Sequence, residues 1–251
     1  MNSISSHKSS NLSGNLIVPG DKSISHRSLI IGSLVNGRIE INNLLESEDV
    51  IATANALRIL GVQINKLNNK WEVFGSGIGN FYGSNYTLNM GNSGTGARLL
   101  MGLIAGSDIE ATFIGDESLS KRPMKRITSP LKKTGATIGN QTNNLPIKIK
   151  GNKIVLPIEY ESSVPSAQVK SSILLAGLSS LGKTTVIEPT LSRDHTERML
   201  KFFGANITTC QLDNMSWKIT SDGVPNLKPL NLNIPADPSS ASFPIVSAII
   251  T

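Results

Sequence analysis

Gly61-Val-Gln-Ile64, Gly135-Ala-Thr-Ile138 and Gly204-Ala-Asn-Ile207 are three versions of one turn. Each glycine follows an amphipathic run with a polar or charged entry, at residues 48–60, 124–134 and 194–203. Glycine accepts the left-handed backbone that ends a helix, and the residues after it carry the β-branched character of a strand. The three stops are spaced 74 and 69 residues apart. Self-similarity at a near-constant spacing marks an internal repeat.

Working outward, each of these helices is preceded by a short β-branched stretch: Gly37-Arg-Ile-Glu-Ile-Asn-Asn-Leu44, Ser107-Asp-Ile-Glu-Ala-Thr-Phe-Ile114 and Gly182-Lys-Thr-Thr-Val-Ile-Glu-Pro189. Before each stretch lies an apolar helical run, at 25–35, 95–105 and 169–181, closing toward a glycine. After the stops come Trp71-Glu-Val-Phe74, Pro146-Ile-Lys-Ile149 and Ser216-Trp-Lys-Ile219, then strand-like residues at 86–90, 153–159 and 230–234. The unit therefore reads helix, strand, helix, three strands, and the fold class is α/β (α+β). Three copies fill about residues 20–234, and Asp237-Pro-Ser-Ser-Ala-Ser-Phe-Pro-Ile-Val-Ser-Ala248 has the look of a fourth first helix. We expect the chain to be a fragment of a longer protein, because Thr251 falls inside that helix.

Lys plus Arg number 24 against 18 Asp plus Glu, a formal net charge of +6. That balance favours acidic partners, either nucleic acid or small phosphorylated and carboxylated molecules. One cysteine, Cys210, excludes an internal disulfide and a cysteine-based zinc cluster. The three histidines, His7, His26 and His195, lack metal-ligand spacing with carboxylates, so no metal is expected. Apolar runs fall well short of the ~18 residues of a membrane helix. The polar stretch 1–15 leads us to expect no signal peptide and, with the single cysteine, a cytoplasmic protein.

The chemistry is concentrated where the first helices begin: Pro19-Gly-Asp-Lys-Ser-Ile-Ser-His-Arg27, Met90-Gly-Asn-Ser-Gly-Thr-Gly-Ala-Arg98 and Pro165-Ser-Ala-Gln-Val-Lys170. All three are rich in Gly, Ser or other small residues and place a cation in the first turn. A cation there opposes the helix dipole, so its presence suits a site that receives an anion. Ser23 and Arg27, four apart, share a helix face, and Lys22 stands just outside as a mobile point charge. An ordinary capped helix with solvated cations explains one such turn; three matched turns argue for convergence on one anion. Lys121-Arg122-Pro123-Met124-Lys125-Arg126 forms a second basic cluster, with Pro123 read as the first residue of a helix and Arg122 at its entrance. Arg193, in Leu191-Ser-Arg-Asp-His195, is its counterpart in the third unit.

Two motifs are decoys. Gly177-Leu-Ser-Ser-Leu-Gly-Lys-Thr184 satisfies the P-loop pattern, yet a helix precedes it and a strand follows, the reverse of what a P-loop requires. Asp194-His195 has no nucleophile elbow to complete a hydrolytic triad. Cys210 is read as a buried or edge bystander in a strand.

Lys22-Ser23 with Arg27, Gly91-Asn-Ser-Gly94-Thr95, Lys121-Arg122-Pro-Met124, Ser166-Ala167-Gln168 and Ser192-Arg193-Asp-His-Thr-Glu197, in this order, resemble the signatures of the 3-phosphoshikimate 1-carboxyvinyltransferase (EPSP synthase) family, in its class II branch. The resemblance runs from about residue 12 to 251. It implies an inverse α/β fold of two domains, each of three repeated six-element units with helices inside β-sheets. Residues 20–232 would form one domain, and 1–19 and 233–251 would be pieces of a second, incomplete one. It implies transfer of the enolpyruvyl group of phosphoenolpyruvate to the 5-hydroxyl of shikimate 3-phosphate, with no metal or organic cofactor.

Carried over residue by residue, the resemblance makes Lys22 the catalytic residue in contact with both substrates. Ser23, Arg27, Ser166, Ala167, Gln168 and Arg193 would bind shikimate 3-phosphate. Gly94, Arg122 and Gln168 would bind phosphoenolpyruvate. Many family members have Ser where Ala167 stands, so a contact there runs through the backbone. Gly94 offers no methyl to crowd the site, so sensitivity to the inhibitor glyphosate is expected. A monomer without nucleic-acid or membrane partners follows from the same resemblance, as does an inactive isolated fragment, because the family's acid–base carboxylates lie in the other domain. The related UDP-N-acetylglucosamine enolpyruvyltransferase would carry Lys-Asn and a reactive cysteine loop; here Lys22-Ser23 stands, and Cys210 is outside any such loop. A basic nucleic-acid module is the third reading, disfavoured by aromatics that make up only 4% of the chain, too few for a stacking surface.

Overall fold

All three glycine stops end a helix in the computed structural model, which describes residues 5, 12–68, 70–139 and 143–250. Gly61, Gly135 and Gly204 take φ of +92°, +97° and +102°. The amide of Val62 reaches back to the Leu57 carbonyl at 3.0 Å and that of Ala205 to Leu200 at 2.9 Å, a bond pattern that only the left-handed turn permits.

The first unit contains α1 (Lys22–Ser33), β1 (Asn36–Asn42), α2 (Glu48–Ile59), β2 (Gln63–Leu67), β3 (Lys70–Ser76) and β4 (Tyr82–Asn89). The second contains α3 (Gly94–Ala105), β5 (Asp108–Ile114), the short α4 (Glu117–Ser120), α5 (Lys125–Lys133), β6 (Thr137–Gly139), β7 (Ile147–Lys150) and β8 (Glu159–Glu161). The third contains α6 (Ala167–Gly177), β9 (Thr184–Glu188), α7 (His195–Phe202), β10 (Ile207–Gln211), β11 (Trp217–Ser221) and β12 (Leu232–Asn233), after which α8 (Pro238–Ile250) follows.

The strands form three four-stranded sheets, ordered β12-β1-β3-β2, β4-β5-β7-β6 and β10-β11-β9-β8. In each, three antiparallel strands come from one unit and a parallel edge strand comes from the unit before it: β4 on β5, β8 on β9, and β12 on β1. The last pairing closes a ring, with Ile41 opposite Leu232 and Asn42 opposite Asn233.

Inside the ring run α1, α3 and α6, buried on nearly every face from Ser25 to Ser33, Gly96 to Ala105 and Val169 to Gly177. Helices enclosed by sheets is the inverse arrangement that the resemblance implied. Burial all round explains why these runs read as apolar rather than amphipathic. Close approach of α3 to α6 depends on small residues. A Cβ on Gly102 would meet the Ser172 backbone, with its Cα at 2.8 Å, and one on Gly106 would lie 2.7 Å from the Ala176 carbonyl oxygen.

Several sequence expectations need correction. Of the first helices, α3 ends at Ala105 against Gly106 as expected, whereas α1 stops at Ser33, before Gly37, and α6 stops at Gly177 rather than 181. Gly106 caps α3 at φ −87°, an ordinary value, so the left-handed stop belongs to the second helices. Pro123 lies before the α5 N-cap, Met124, and not inside the helix. The strand expected at 153–159 begins at Glu159, with Val155 making a lone parallel bridge to Ser180. Of the two readings of Cys210, buried or edge, the second holds: it is exposed on the edge strand β10.

Two chain segments cross side by side at the edge of this body. Gly20 bridges Ala236, the Asp21 amide donates to the Pro235 carbonyl at 2.8 Å, and the Asp237 amide donates to Pro19 at 2.8 Å. Beyond the crossing, α8 buries none of its described residues, and Phe243 is 78% exposed. Of the expected second-domain pieces, residues 1–4, 6–11 and 251 lie outside the described residues. Among the described residues no helix is long and apolar enough to cross a membrane.

Candidate functional site

The first turns of α1, α3 and α6 meet at one cavity of about 330 Å³. Ser23 and Arg27 come from α1, Thr95 from α3, Ser166, Ala167 and Gln168 from the start of α6, and Ser192, Arg193 and His195 from the approach to α7. Each helix start is capped by its own side chain. Asp21 accepts from the Ile24 amide at 2.8 Å, Ser93 from Gly96 at 3.2 Å and Ser166 from Val169 at 3.5 Å. A cap occupies one of the four amides that a helix end leaves unpaired, so three positive dipole ends remain directed at the shared space.

The cations are held stiffly. Arg27, 3% exposed, donates Nε to Thr196 Oγ1 at 2.7 Å, Nη1 to the Ser23 carbonyl at 2.9 Å and Nη2 to Ser171 Oγ at 2.9 Å. Burial pulls its pKa down to about 10, which still leaves it charged at neutral pH. Arg98 donates Nη1 to Gln168 Oε1 at 2.7 Å, and Gln168 Nε2 donates to Thr95 Oγ1 at 3.0 Å. This chain fixes which way the Gln168 amide points. Burial, followed by repulsion from Arg126 and Arg122, lowers Arg98 to about 10. Arg122 donates Nη2 to Asn92 Oδ1 at 2.6 Å and to Ser118 Oγ at 3.2 Å. A Cβ on Gly94 would stand 3.0 Å from Arg122 Nη1 and 3.2 Å from Arg98 Nη1, so two guanidinium groups flank that glycine.

Among the described residues, none of Arg27, Arg98, Arg122 and Arg193 forms an ion pair with a carboxylate, whereas Arg38, Lys66, Lys70, Lys121 and Lys148 all do. Buried or half-buried charges are costly without a counter-charge. Arg27 and Arg98 are buried, Arg122 is half-buried and Arg193 is exposed at the cavity mouth, so guanidinium groups without a counter-charge beside three helix N-termini suit a site that an external anion completes.

Lys170, the cation of the third turn, does not join them. It is 1% exposed and lies between Glu188 Oε1 at 2.8 Å and Glu197 Oε1 at 2.7 Å. Lys22 is half-exposed, pairs with Asp49 of α2 and does not line the cavity. Gly94 and Arg122 lie beside the cavity, connected to it through Arg98 and Gln168. Thr95, Arg98, Ser192 and His195 were not singled out as site residues in the sequence. Arg98 had a visible signal, because it follows Gly94 at the four-residue spacing of Ser23 and Arg27. The His195 ring is kept below its usual pKa by burial and then by Arg27, which favours its neutral form.

A protein-family profile described as EPSP synthase (3-phosphoshikimate 1-carboxyvinyltransferase) matches residues 6–251. The chain belongs to the EPSP synthase family. It is 50% identical over 250 residues to the 3-phosphoshikimate 1-carboxyvinyltransferase of Rhodospirillum rubrum and 51% identical over 251 residues to that of Parvibaculum lavamentivorans. These alignments take in 97% and 99% of this chain but 55% and 56% of the relatives. A solved EPSP synthase from Acinetobacter baumannii is similar with a TM-score of 0.85 at 42% identity, covering 95% of this chain and 53% of that one. The chain thus spans about half the length of the curated relatives it matches. Membership of the EPSP synthase family does not favour the UDP-N-acetylglucosamine and nucleic-acid readings.

Proposed function

We propose that this chain supplies the shikimate 3-phosphate half of an EPSP synthase active site. The single observation that carries the reading is the shared cavity lined by Arg27 and Arg193, neither paired with a carboxylate, with Arg98 and Arg122 beside it. On this reading Ser23, Arg27, Ser166, Ala167, Gln168 and Arg193 bind shikimate 3-phosphate. Gly94 and Arg122 receive phosphoenolpyruvate, with Gln168 between the two. Lys22 reaches both substrates once an anion draws it from Asp49.

The chemical problem is to bring two phosphates and a carboxylate together. Fixed helix ends and guanidinium groups, already paid for in folding, hold these charges without reorganisation. The 5-hydroxyl loses its proton as its oxygen adds to C2 of phosphoenolpyruvate and C3 gains a proton, giving a tetrahedral ketal. Loss of that C3 proton then restores the double bond as the C2–O bond to phosphate breaks. The groups that move these protons are assigned to the remainder of the enzyme. Residues 20–232 are read as one domain, and 1–19 and 233–251 as parts of the other. The backbone crossing at Gly20 and Ala236 and the exposed face of α8 support that division. A cytoplasmic, monomeric, glyphosate-sensitive enzyme completes the reading.

Titration calorimetry of the chain with shikimate 3-phosphate tests it. Arg193→Gln should weaken binding about tenfold, the value of one charge-assisted hydrogen bond, and shikimate without its phosphate should bind more weakly than the phosphorylated ligand. Equal affinity in all cases would remove the reading, and binding to RNA with a steep salt slope would replace it with the basic-module one.

A further inference from the structure

Lys170, Glu188 and Glu197 lie behind the cavity wall, outside the set of residues that line it. Two carboxylates and one ammonium in a dry interior contribute little net stability, since an apolar trio of similar volume is often as good. What such a trio lacks is a hold on the main chain. Here Glu188 Oε1 accepts the Ser192 amide at 2.8 Å, while Lys170 Nζ donates to the Ser192 carbonyl at 3.3 Å. Both faces of one residue's backbone are therefore gripped, and Glu188 also accepts from Ser192 Oγ at 2.8 and 3.0 Å. The next residue is Arg193. On the other side, Ser171 Oγ lies 2.7 Å from Thr196 Oγ1, and both hydroxyls accept from Arg27. The cluster thereby joins β9, α6 and the start of α7, next to the hydroxyls that hold Arg27 and one residue before Arg193.

We propose that Lys170, Glu188 and Glu197 are positioning residues, an ionic brace that sets Ser192 and Arg193 against the anion cavity. The proposal rests on the reading of that cavity as a shikimate 3-phosphate site. The brace touches no ligand and acts through the 192–193 backbone.

Glu188→Gln keeps the shape of the side chain and removes its charge. In this variant the Ser192 amide should exchange with solvent faster, and affinity for shikimate 3-phosphate should fall about tenfold. Combined with Arg193→Gln, the loss should be smaller than the sum of the two single losses, because the two act on one contact. Ile219→Val, in the core of the neighbouring strand β11, is the control for simple destabilisation and should leave affinity unchanged. Glu188→Asp, which keeps the charge but withdraws the carboxylate, is the second variant should the first fold poorly, with the same outcome expected. Additive losses, or an equal loss in Ile219→Val, would overturn the proposal, as would unchanged Ser192 exchange. A wild-type chain that ignores shikimate 3-phosphate, with Ser192 exchange still accelerated in Glu188→Gln, would instead remove the functional reading and leave the anchoring of the loop in place.

Discussion

His26 shows how a single residue can be in plain view in the sequence and still hide its role. It sits in the quoted first turn, yet its ring is wholly buried, with Nδ1 2.8 Å from Thr53 Oγ1 and Nε2 without a partner among the described residues. Burial, opposed by Asp49 and assisted by Lys22 and Arg27, pushes its pKa down from 6.5 to about 3. Between those values the unfolded chain binds a proton that the folded chain refuses. Stability should therefore fall as pH drops below 6.5, by up to about 1.4 kcal/mol per pH unit. In His26→Gln, urea unfolding at pH 7 and pH 5 should show a smaller difference than in wild type; an equal difference would assign the acid sensitivity to other groups. The hydrogen-bond partner of His26 is Thr53, on a different helix, which no local reading of the first turn could supply. Lys170 was hidden for the same reason. Its first-turn position was legible and suggested an anion ligand, but Glu188 and Glu197, both remote in the chain, claim its charge.

At the scale of elements, the glycine stops of the second helices were legible because a left-handed C-terminus is a local demand that glycine meets best. The ends of α1 and α6 were not, because buried helices stop where packing stops and no special backbone marks the place, although α3 does end at Gly106 as expected. The P-loop mimic was read correctly from element order alone: α6 ends at Gly177 and β9 begins at Thr184. Small residues in α3 looked like ordinary apolar helix composition, whereas their purpose is contact with α6. Gly102→Ala would drive a methyl into the Ser172 backbone. Backbone cannot step aside as a flexible side chain does, so a loss of about 3 kcal/mol is expected, readable as a lowered denaturant midpoint. A change below about 0.5 kcal/mol, the scale of a neutral surface substitution, would mean that the two helices are not in such close contact.

At the scale of the whole molecule, the repeat was legible but the exchange of strands between units was not. Periodicity counts the elements of a unit and does not say that its last strand pairs with the next unit's first. The link from β12 to β1 joins residues 232 and 41, a pairing set by the closing of the ring. That closure turns three separate helix starts into one cavity, so the anion site is a property of the ring and of no single unit. The most direct measurement of this claim is an amide chemical-shift titration of the chain with shikimate 3-phosphate. We expect Ser23, Thr95, Gln168 and Arg193 to shift together along one saturation curve. Shifts limited to one helix start, or to the Lys121–Arg126 surface, would contradict the account.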